Sequence, residues 1–344
     1  MEASTDSRSH HQARFVPDAA SALSIQAGIS QAWAQASSQA SVAILMCTYN
    51  GESYLAEQLD SFAQQTHKNW CLWVSDDNSH DRSLEILKAY SARWDQDSLE
   101  VQSGPQRGFV ANFLSLTCSP EIDAEFFAWS DQDDIWQANK LEVALDWLQR
   151  IPADVPALYC GRTQIVRSDG HVLGMSPKFG LPTSFANALV QSIAGGNTMV
   201  FNRAARELIR EAGAEVEVPS HDWWLYQLVS GAGGKVCYDP QPLVHYRQHD
   251  ENIIGSNAGC IARLRRMSLL FKGRFVEWNE LNISALERMH HRLTPENQRI
   301  LDLFKAARGQ WLPQRVLGIV RARLYRQTFL DSLGLYLATL LKKI

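Results

Sequence analysis

Three short apolar runs, each ending in a polar cluster, constrain this chain most. Val42–Met46 runs into Thr48-Tyr49-Asn50-Gly51. Trp70, Leu72 and Val74 alternate up to Asp76-Asp77-Asn78-Ser79. Phe126–Trp129 and Ser130 lead into Asp131-Gln132-Asp133-Asp134. Apolar runs of this length, bounded by turn residues, read as buried strands that end at a sheet edge. Helical patterns separate them. Leu55, Leu59 and Phe62 share one spacing, and Leu84, Leu87 and Tyr90 another, the second capped near Asp81. Leu99–Val101 reads as a third strand, Phe109–Leu116 as a helix, and Phe126–Trp129 as the fourth strand. Strand–helix alternation predicts an α/β fold with a parallel sheet and right-handed crossovers. Ligands of such sheets bind beyond the carboxyl ends of the strands, where all three polar clusters lie.

Further along come a helix over Leu141–Leu148, a strand around Ala157–Gly161, and the turn Ala194–Thr198 leading into Met199–Phe201. Ser220–Trp224 opens another helical run, and Pro242–His249 follows. Gly255 and Gly259 suggest a boundary. Residues 1–40, rich in Ser, Ala and Gln, are expected to be disordered, with a short helix around Leu23–Trp33. The core domain is placed at 41–255. A helical appendage is placed at 256–344, with helices at Leu264–Phe275, Asn282–His291, Glu296–Arg308 and Val316–Leu341. Charge divides the same way: residues 256–344 carry 16 Lys/Arg against 6 Asp/Glu, the remainder 17 against 31. Basic amphipathic helices of this kind suit an anionic lipid surface, with a helical packing domain or a dimer interface as the plain alternative. Nucleic acid is disfavoured, because no nucleic-acid-binding motif is present. The six Cys are scattered without zinc spacing, which fits a reducing cytoplasm. No run of 18 uncharged apolar residues and no cleavable leader are apparent.

Asp131, Asp133 and Asp134 concentrate negative charge that something must balance. A hard divalent cation, Mg²⁺ or Mn²⁺, is one answer; a solvated turn or a helix cap is the other. Tyr49 at a strand end offers a flat face to a heterocycle, or packs over the first helix. Asp77 reads as a ligand group, with an Asx turn as the plain alternative. Gly108 permits close backbone approach, and Arg107 suits phosphate. Asp222 is a candidate general base or an N-cap, flanked by Trp223 and Trp224, whose indoles suit sugar faces. Gly195, Gly196 and Asn197 form a small-residue turn.

The chain resembles the inverting family 2 glycosyltransferases of GT-A nucleotide-sugar fold, a mostly parallel central sheet, and within them the bacterial rhamnosyltransferase-type enzymes of surface polysaccharide synthesis. The resemblance covers about residues 41–255. It rests on Cys47–Gly51, Val74–Ser79, Gln106–Phe113, Ser130–Trp136, Gly195–Thr198, His221–Trp224 and Tyr246–His249 in this order and spacing. Cys47 stands where many members have Pro. The resemblance implies that Thr48, Tyr49 and Asn50 frame the base and that Asp77 accepts N3–H of a pyrimidine. Arg107, Gly108 and Asn112 would approach the nucleotide, and Asp131 the ribose or metal-bound water. Asp133 would ligate the metal, with Asp131 and His249 completing its shell. Arg247 would contact the diphosphate, and Gly196, Asn197, Trp223 and Trp224 the acceptor, while Asp222 would be the base. The implied reaction moves rhamnose from dTDP-rhamnose onto a lipid-linked saccharide at the cytoplasmic membrane face. UDP-galactose or UDP-glucose is the alternative donor. A non-catalytic nucleotide-sugar-binding scaffold is the rival from another class. A nucleotidyltransferase is the third reading, disfavoured because Thr48–Glu52 is no triphosphate loop.

Overall fold

The computed structural model describes residues 40–95, 98–249 and 274–344. The first 39 residues, with the helix expected there, and most of the helix expected at Leu264–Phe275 lie outside the described residues.

The chain opens as the alternating pattern predicts. Strand β1 (Val42–Thr48) is fully buried, followed by α1 (Leu55–Ala63), β2 (Trp70–Asp76), α2 (Ser83–Ser91), β3 (Leu99–Ser103), α3 (Phe109–Cys118) and β4 (Phe126–Ser130). The order β3-β2-β1-β4 is parallel throughout, with Val42 opposite Trp70 on one side and Phe126 on the other. A strand buried on both faces needs a continuous apolar run, which is why VAILMC and FFAW show no alternation.

Beyond β4 the sheet changes direction. β5 (Ile135–Trp136), α4 (Lys140–Leu148), β6 (Ala157–Arg167) and β7 (Val172–Met175) come first. The short helix α5 (Phe185–Ala188), a 3₁₀ turn at Gly196–Thr198 and β8 (Val200–Asn202) follow. Then come α6 (Arg203–Ala212), α7 (His221–Gly231) and the long β9 (Lys235–Gln248). β8 pairs antiparallel with β4 and β6, and β9 runs parallel to β6. The nine strands form one mixed sheet, ordered β3-β2-β1-β4-β8-β6-β9-β5 with β7 on β6. By length of pairing it remains mostly parallel. β6 and β9 extend well past the apolar residues that announced them, because their outer halves pair with each other from Thr163 opposite Val244 to Arg167 opposite Gln248.

Helices α8 (Arg274–Arg288), α9 (Pro295–Gly309), α10 (Leu312–Arg321) and α11 (Phe329–Leu340) close the chain. Leu286, Leu301 and Phe304 belong to the same apolar cluster as Trp129, Phe201 and Trp224. The helix expected over Val316–Leu341 is broken in two. Arg323 takes a left-handed conformation (φ 51°), and Thr328 restarts the helix by accepting the Asp331 N–H at 3.1 Å. Periodicity alone carried through this break because apolar residues continue on both sides.

Buried Arg206 on α6 shows how the layer beneath β4 is held. Its guanidinium donates to the carbonyls of Thr117 (2.8 Å), Ile122 (2.7 Å) and Ser119 (2.6 Å) and lies 4.5 Å above the Phe127 ring. Truncation would leave three buried acceptors unmet, each worth about 1–3 kcal/mol. Arg206→Ala should therefore lower the unfolding free energy by about 3 kcal/mol or more, read by urea denaturation. Arg206→Lys should recover only part of it, since an ammonium cannot span the same fork.

Candidate functional site

The site is built at the carboxyl ends of β1, β2 and β4, where the loops after them are stitched together. Thr48 Oγ1 donates to Asp76 Oδ1 at 2.8 Å, and Ser79 donates to both Asp76 oxygens from its N–H and hydroxyl. Asp76 is thus a loop anchor. Asn50 (φ 50°) donates its N–H to Ser79 Oγ, and its side-chain oxygen accepts from His80 N–H. Gln132 grips Tyr49 twice: its Oε1 accepts the Tyr49 N–H at 2.9 Å and its Nε2 donates to the Tyr49 carbonyl at 3.0 Å. This leaves the Tyr49 ring exposed on an anchored backbone. A Cβ at residue 51 would come within 2.4 Å of Gln132 Oε1, so any larger residue there would displace the Gln132 amide from Tyr49. The sequence singled out the acids around Gln132 but not this amide. Nothing in periodicity marks a side chain that bonds to the backbone of a remote loop.

Asp77 lies beside Thr48, its N–H donating to the Thr48 carbonyl at 2.8 Å. Its carboxylate accepts from the N–H groups of Gln106 (2.5 Å) and Gly108 (3.2 Å), which draws the loop before α3 over the site. Gly108, at φ 85°, enters α3 in a conformation other residues resist. Arg107 stands on the surface, ion-paired to Glu215. An exposed pair is worth about 0–1 kcal/mol and is readily exchanged for another anion. Asn112 corrects the expectation placed on it. It is 1% exposed, and its amide clamps Ser75, accepting from Oγ at 2.5 Å and donating to the carbonyl at 3.0 Å. It fastens α3 to β2 rather than facing a ligand.

The acidic loop is the electrostatic centre. Burial, then the charges of Asp133 and Asp222, push the Asp131 carboxyl up to about 7. Burial, then the charges of Asp131 and Asp77, push the Cys47 thiol well up. Asp77, Asp131, Asp133 and Asp222 are therefore electrostatic neighbours across three separate stretches of chain. Asp134 is fully buried; its Oδ2 accepts from Asn197 Nδ2 at 2.5 Å and its Oδ1 from the Arg247 N–H at 3.3 Å. Burial and the charges of Asp133 and Asp131 push its carboxyl well up. Asp134 and buried Asn197 thus tie the acidic loop to the 195–198 turn.

Arg247 also departs from expectation. It is 1% exposed and lies under the acidic loop, donating to the carbonyls of Asp133 (3.0 Å) and Ser168 (2.7 Å) and to Glu57 Oε2 (2.5 Å), 4.6 Å from the Tyr54 ring. These bonds hold it as a strut beneath the loop, not as a phosphate ligand on its surface. His249 does reach the loop, with Nε2 2.7 Å from Asp133 Oδ2. Among the described residues no three His, Cys, Asp or Glu side chains form a metal cage. The set Asp131, Asp133 and His249 is not assembled as one; Asp133 and His249 bond directly to each other. The donor chemistry nonetheless suits a divalent cation, since half-buried Asp131 feels the charges of two further carboxylates and a cation would offset them. Mg²⁺ commonly takes one or two protein carboxylates and completes its shell with phosphate and water.

Asp222 is the second residue of α7. Its Oδ1 accepts the Trp223 N–H at 2.6 Å and the Ser220 hydroxyl, and its Oδ2 accepts the Gly196 N–H at 3.2 Å. Burial raises it to about 6. Beside it, His221 is buried and held neutral, lowered to about 3 by burial. It stacks on Phe113 at 4.1 Å and meets Trp129 edge-on at 4.7 Å. A Cβ at residue 196 would come 2.5 Å from His221 Nε2, so the imidazole presses directly on Gly196. Trp223 and Trp224 are not a sugar platform: Trp224 is fully buried, and Trp223 is 6% exposed with Nε1 donating to the Ala188 carbonyl at 2.6 Å. α7 is buried nearly all round, so its indoles have no solvent to face.

The Glycosyl transferase family 2 model matches residues 43–208, the stretch that holds all of these elements up to α6. The dTDP-rhamnosyl transferase RfbG of Shigella flexneri is 27% identical over 238 residues, which span 65% of this chain and 78% of that protein. WfgD of Escherichia coli, a UDP-Glc:alpha-D-GlcNAc-diphosphoundecaprenol beta-1,3-glucosyltransferase, is 32% identical over 108 residues, spanning 31% of this chain and 40% of that protein. Among solved structures, the mannosyltransferase PcManGT from Pyrobaculum calidifontis, in complex with GDP-Man and Mn²⁺, aligns with a TM-score of 0.48 at 17% identity. It covers 94% of this chain and 95% of that one, and a likeness of that degree carries no weight for chemistry.

Arg247→Ala should lower the melting temperature by several degrees, because a large buried side chain and its bonds to Asp133, Ser168 and Glu57 are lost together. The same change should loosen the acidic loop, read as faster amide exchange at residues 131–134.

Proposed function

Since the chain belongs to the family 2 glycosyltransferases, we propose that it is an inverting, metal-dependent hexosyltransferase that moves rhamnose from dTDP-rhamnose onto a lipid-linked saccharide in surface polysaccharide synthesis. The observation that carries this reading is the gathering of Asp77, Asp131, Asp133 and Asp222 at one end of the sheet, with Asp222 at a helix start and raised to about 6. The longer match to RfbG supports the rhamnose donor. A UDP-glucose donor is the second reading, supported by the shorter match to WfgD. The likeness to WfgD, a transferase of a diphosphoundecaprenol-linked sugar, supports the lipid-linked acceptor and, with it, work at the cytoplasmic face of the membrane. No helix among the described residues is long and apolar enough to cross a membrane.

In this reading Tyr49 lies along the base, and Asp77, already holding the loop above it, turns a free lone pair to the N3–H that uracil and thymine share. Asp131 and Asp133 would hold Mg²⁺ or Mn²⁺, with His249 fixing Asp133. When bound, the cation neutralises charge that grows on the departing nucleoside diphosphate. The acceptor hydroxyl enters from the side of Gly196 and Asp222. Its oxygen bonds to the anomeric carbon as the bond from that carbon to the β-phosphate oxygen breaks, and its proton passes to Asp222. Gly196 and Trp223 N–H groups aim the carboxylate without neutralising it. A carboxyl near 6 is ionised at neutral pH yet more basic than an exposed Asp, which suits a general base.

Asp222→Asn should lower kcat by about 10²–10⁴-fold with an unchanged Kd for the donor, read by product formation and calorimetry. In the native enzyme the acid limb of kcat/KM should lie near pH 6, because activity requires the ionised form. Stability has the opposite sign. A raised carboxyl favours the folded state at low pH and loses that contribution as pH rises from about 4 to about 6. Asp222→Asn should therefore gain on the native protein in denaturation midpoint across that window. The reading as a whole is tested by thermal shift with a panel of nucleotide sugars, with and without chelator. Stabilisation by dTDP-rhamnose that requires metal supports it; indifference to every pyrimidine nucleotide would overturn it.

A further inference from the structure

The C-terminal helices do not share one fate. α8 and α9 bury their apolar stripes against the core through Leu286, Leu301 and Phe304. α11 has two apolar faces. Leu335 and Ala338 point inward, while Phe329, Leu330, Leu333, Leu337 and Leu340 form a stripe on the other side with no covering neighbour among the described residues. Phe329 is 82% exposed, and Trp311, at the start of α10, is 64% exposed. Single exposed apolar residues are ordinary, but a stripe of five on one helix with an aromatic at its end is not.

Charge selects what covers it. Residues 311–344 hold six Lys/Arg and a single acid, Asp331. Arg321, Arg323 and Lys342 are exposed at the ends of the two helices. A second copy of this chain would bring the same cations against themselves across a two-fold contact. An anionic lipid surface offers acyl chains for the stripe and headgroup charge for its ends.

The segment between these helices is linked, through the stretch around α5, to the helix of the proposed base. Tyr325 Oη lies 2.8 Å from Ser184 Oγ, and Asn187 Nδ2 donates to the Tyr325 carbonyl at 3.0 Å. The Asn187 side-chain oxygen in turn accepts from Tyr226 Oη at 2.9 Å, one helical turn after Asp222 on α7. Gln327 N–H donates to Gln191 Oε1 at 2.7 Å.

We propose that the outer face of α10 and α11 inserts into the interface of an anionic membrane, and that the Tyr325–Asn187–Tyr226 chain fixes the height of Asp222 above that surface. This rests on the lipid-linked acceptor read above, and it assigns the contact to two helices of the basic region and excludes α8 and α9. The test is flotation of the full chain with vesicles of phosphatidylcholine alone or with added phosphatidylglycerol. Native protein should float only with the anionic vesicles. Phe329→Asp with Leu333→Asp should weaken that binding at least about tenfold while leaving the melting temperature unchanged, both side chains being exposed. Arg321→Glu with Lys342→Glu should abolish the preference for phosphatidylglycerol. The proposal is overturned if native protein ignores anionic vesicles, or if the Asp variant binds them as the native protein does. It is equally overturned if that variant only turns a dimer into a monomer on sedimentation. The donor-induced thermal shift must persist in both variants. Its absence in the native protein would count against the glycosyltransferase reading and not against this one.

Discussion

A loop with three carboxylates in four residues keeps its shape at the end of a buried strand only if its backbone is held from beneath. In this chain Arg247 holds it from within the core. Its guanidinium takes the Asp133 carbonyl from below, and its own N–H reaches Asp134, while Asn197 closes the other Asp134 oxygen. The division of labour within the motif follows from this. Asp134 is turned inward and bonded, so Asp131 and Asp133 are left toward the site. Burial and neighbouring carboxylates push the Asp131 and Asp134 carboxyls up, and a cation at the site would offset that charge.

The same arrangement explains how distant segments meet. β4 delivers the acidic loop, β9 delivers Arg247 and His249, and the turn before β8 delivers Gly196 and Asn197. These lie far apart in sequence, but the antiparallel return of β8 beside β4 places the turn next to the acids. Gly196 then links the two halves of the site, with its N–H on Asp222 and its α-carbon against His221. A glycine there is a matter of space, since its backbone angles are open to any residue.

The parallel half of the fold was legible because buried parallel strands write themselves as unbroken apolar runs closed by polar turns. The acids at their ends were legible because charge beside such a run demands a reason. The second half of the sheet was harder to read. β7, β9 and the outer part of β6 carry charged and polar residues on ribbons that stabilise each other by pairing, and pairing leaves no periodic trace. Burial also escaped prediction where chemistry misled. Trp223, Trp224, Asn112 and Arg247 are types that suit sugar, ribose or phosphate, and all four are used inside the protein. For an indole or a guanidinium, residue type and motif position do not reveal whether it faces a cleft or the layer below. Only the neighbours decide that, and they come from remote parts of the chain.

The grip of Gln132 on Tyr49 has a consequence for how a ligand is met. The main chain carrying the aromatic ring is held on both its polar groups, and the next residue is locked to the second loop through Ser79 and His80. The entropy of fixing that stalk is spent during folding, so an arriving heterocycle has only a ring rotation left to restrain. A flat guest thus encounters a rigid shelf, and selectivity among flat guests passes to whatever lines its edge.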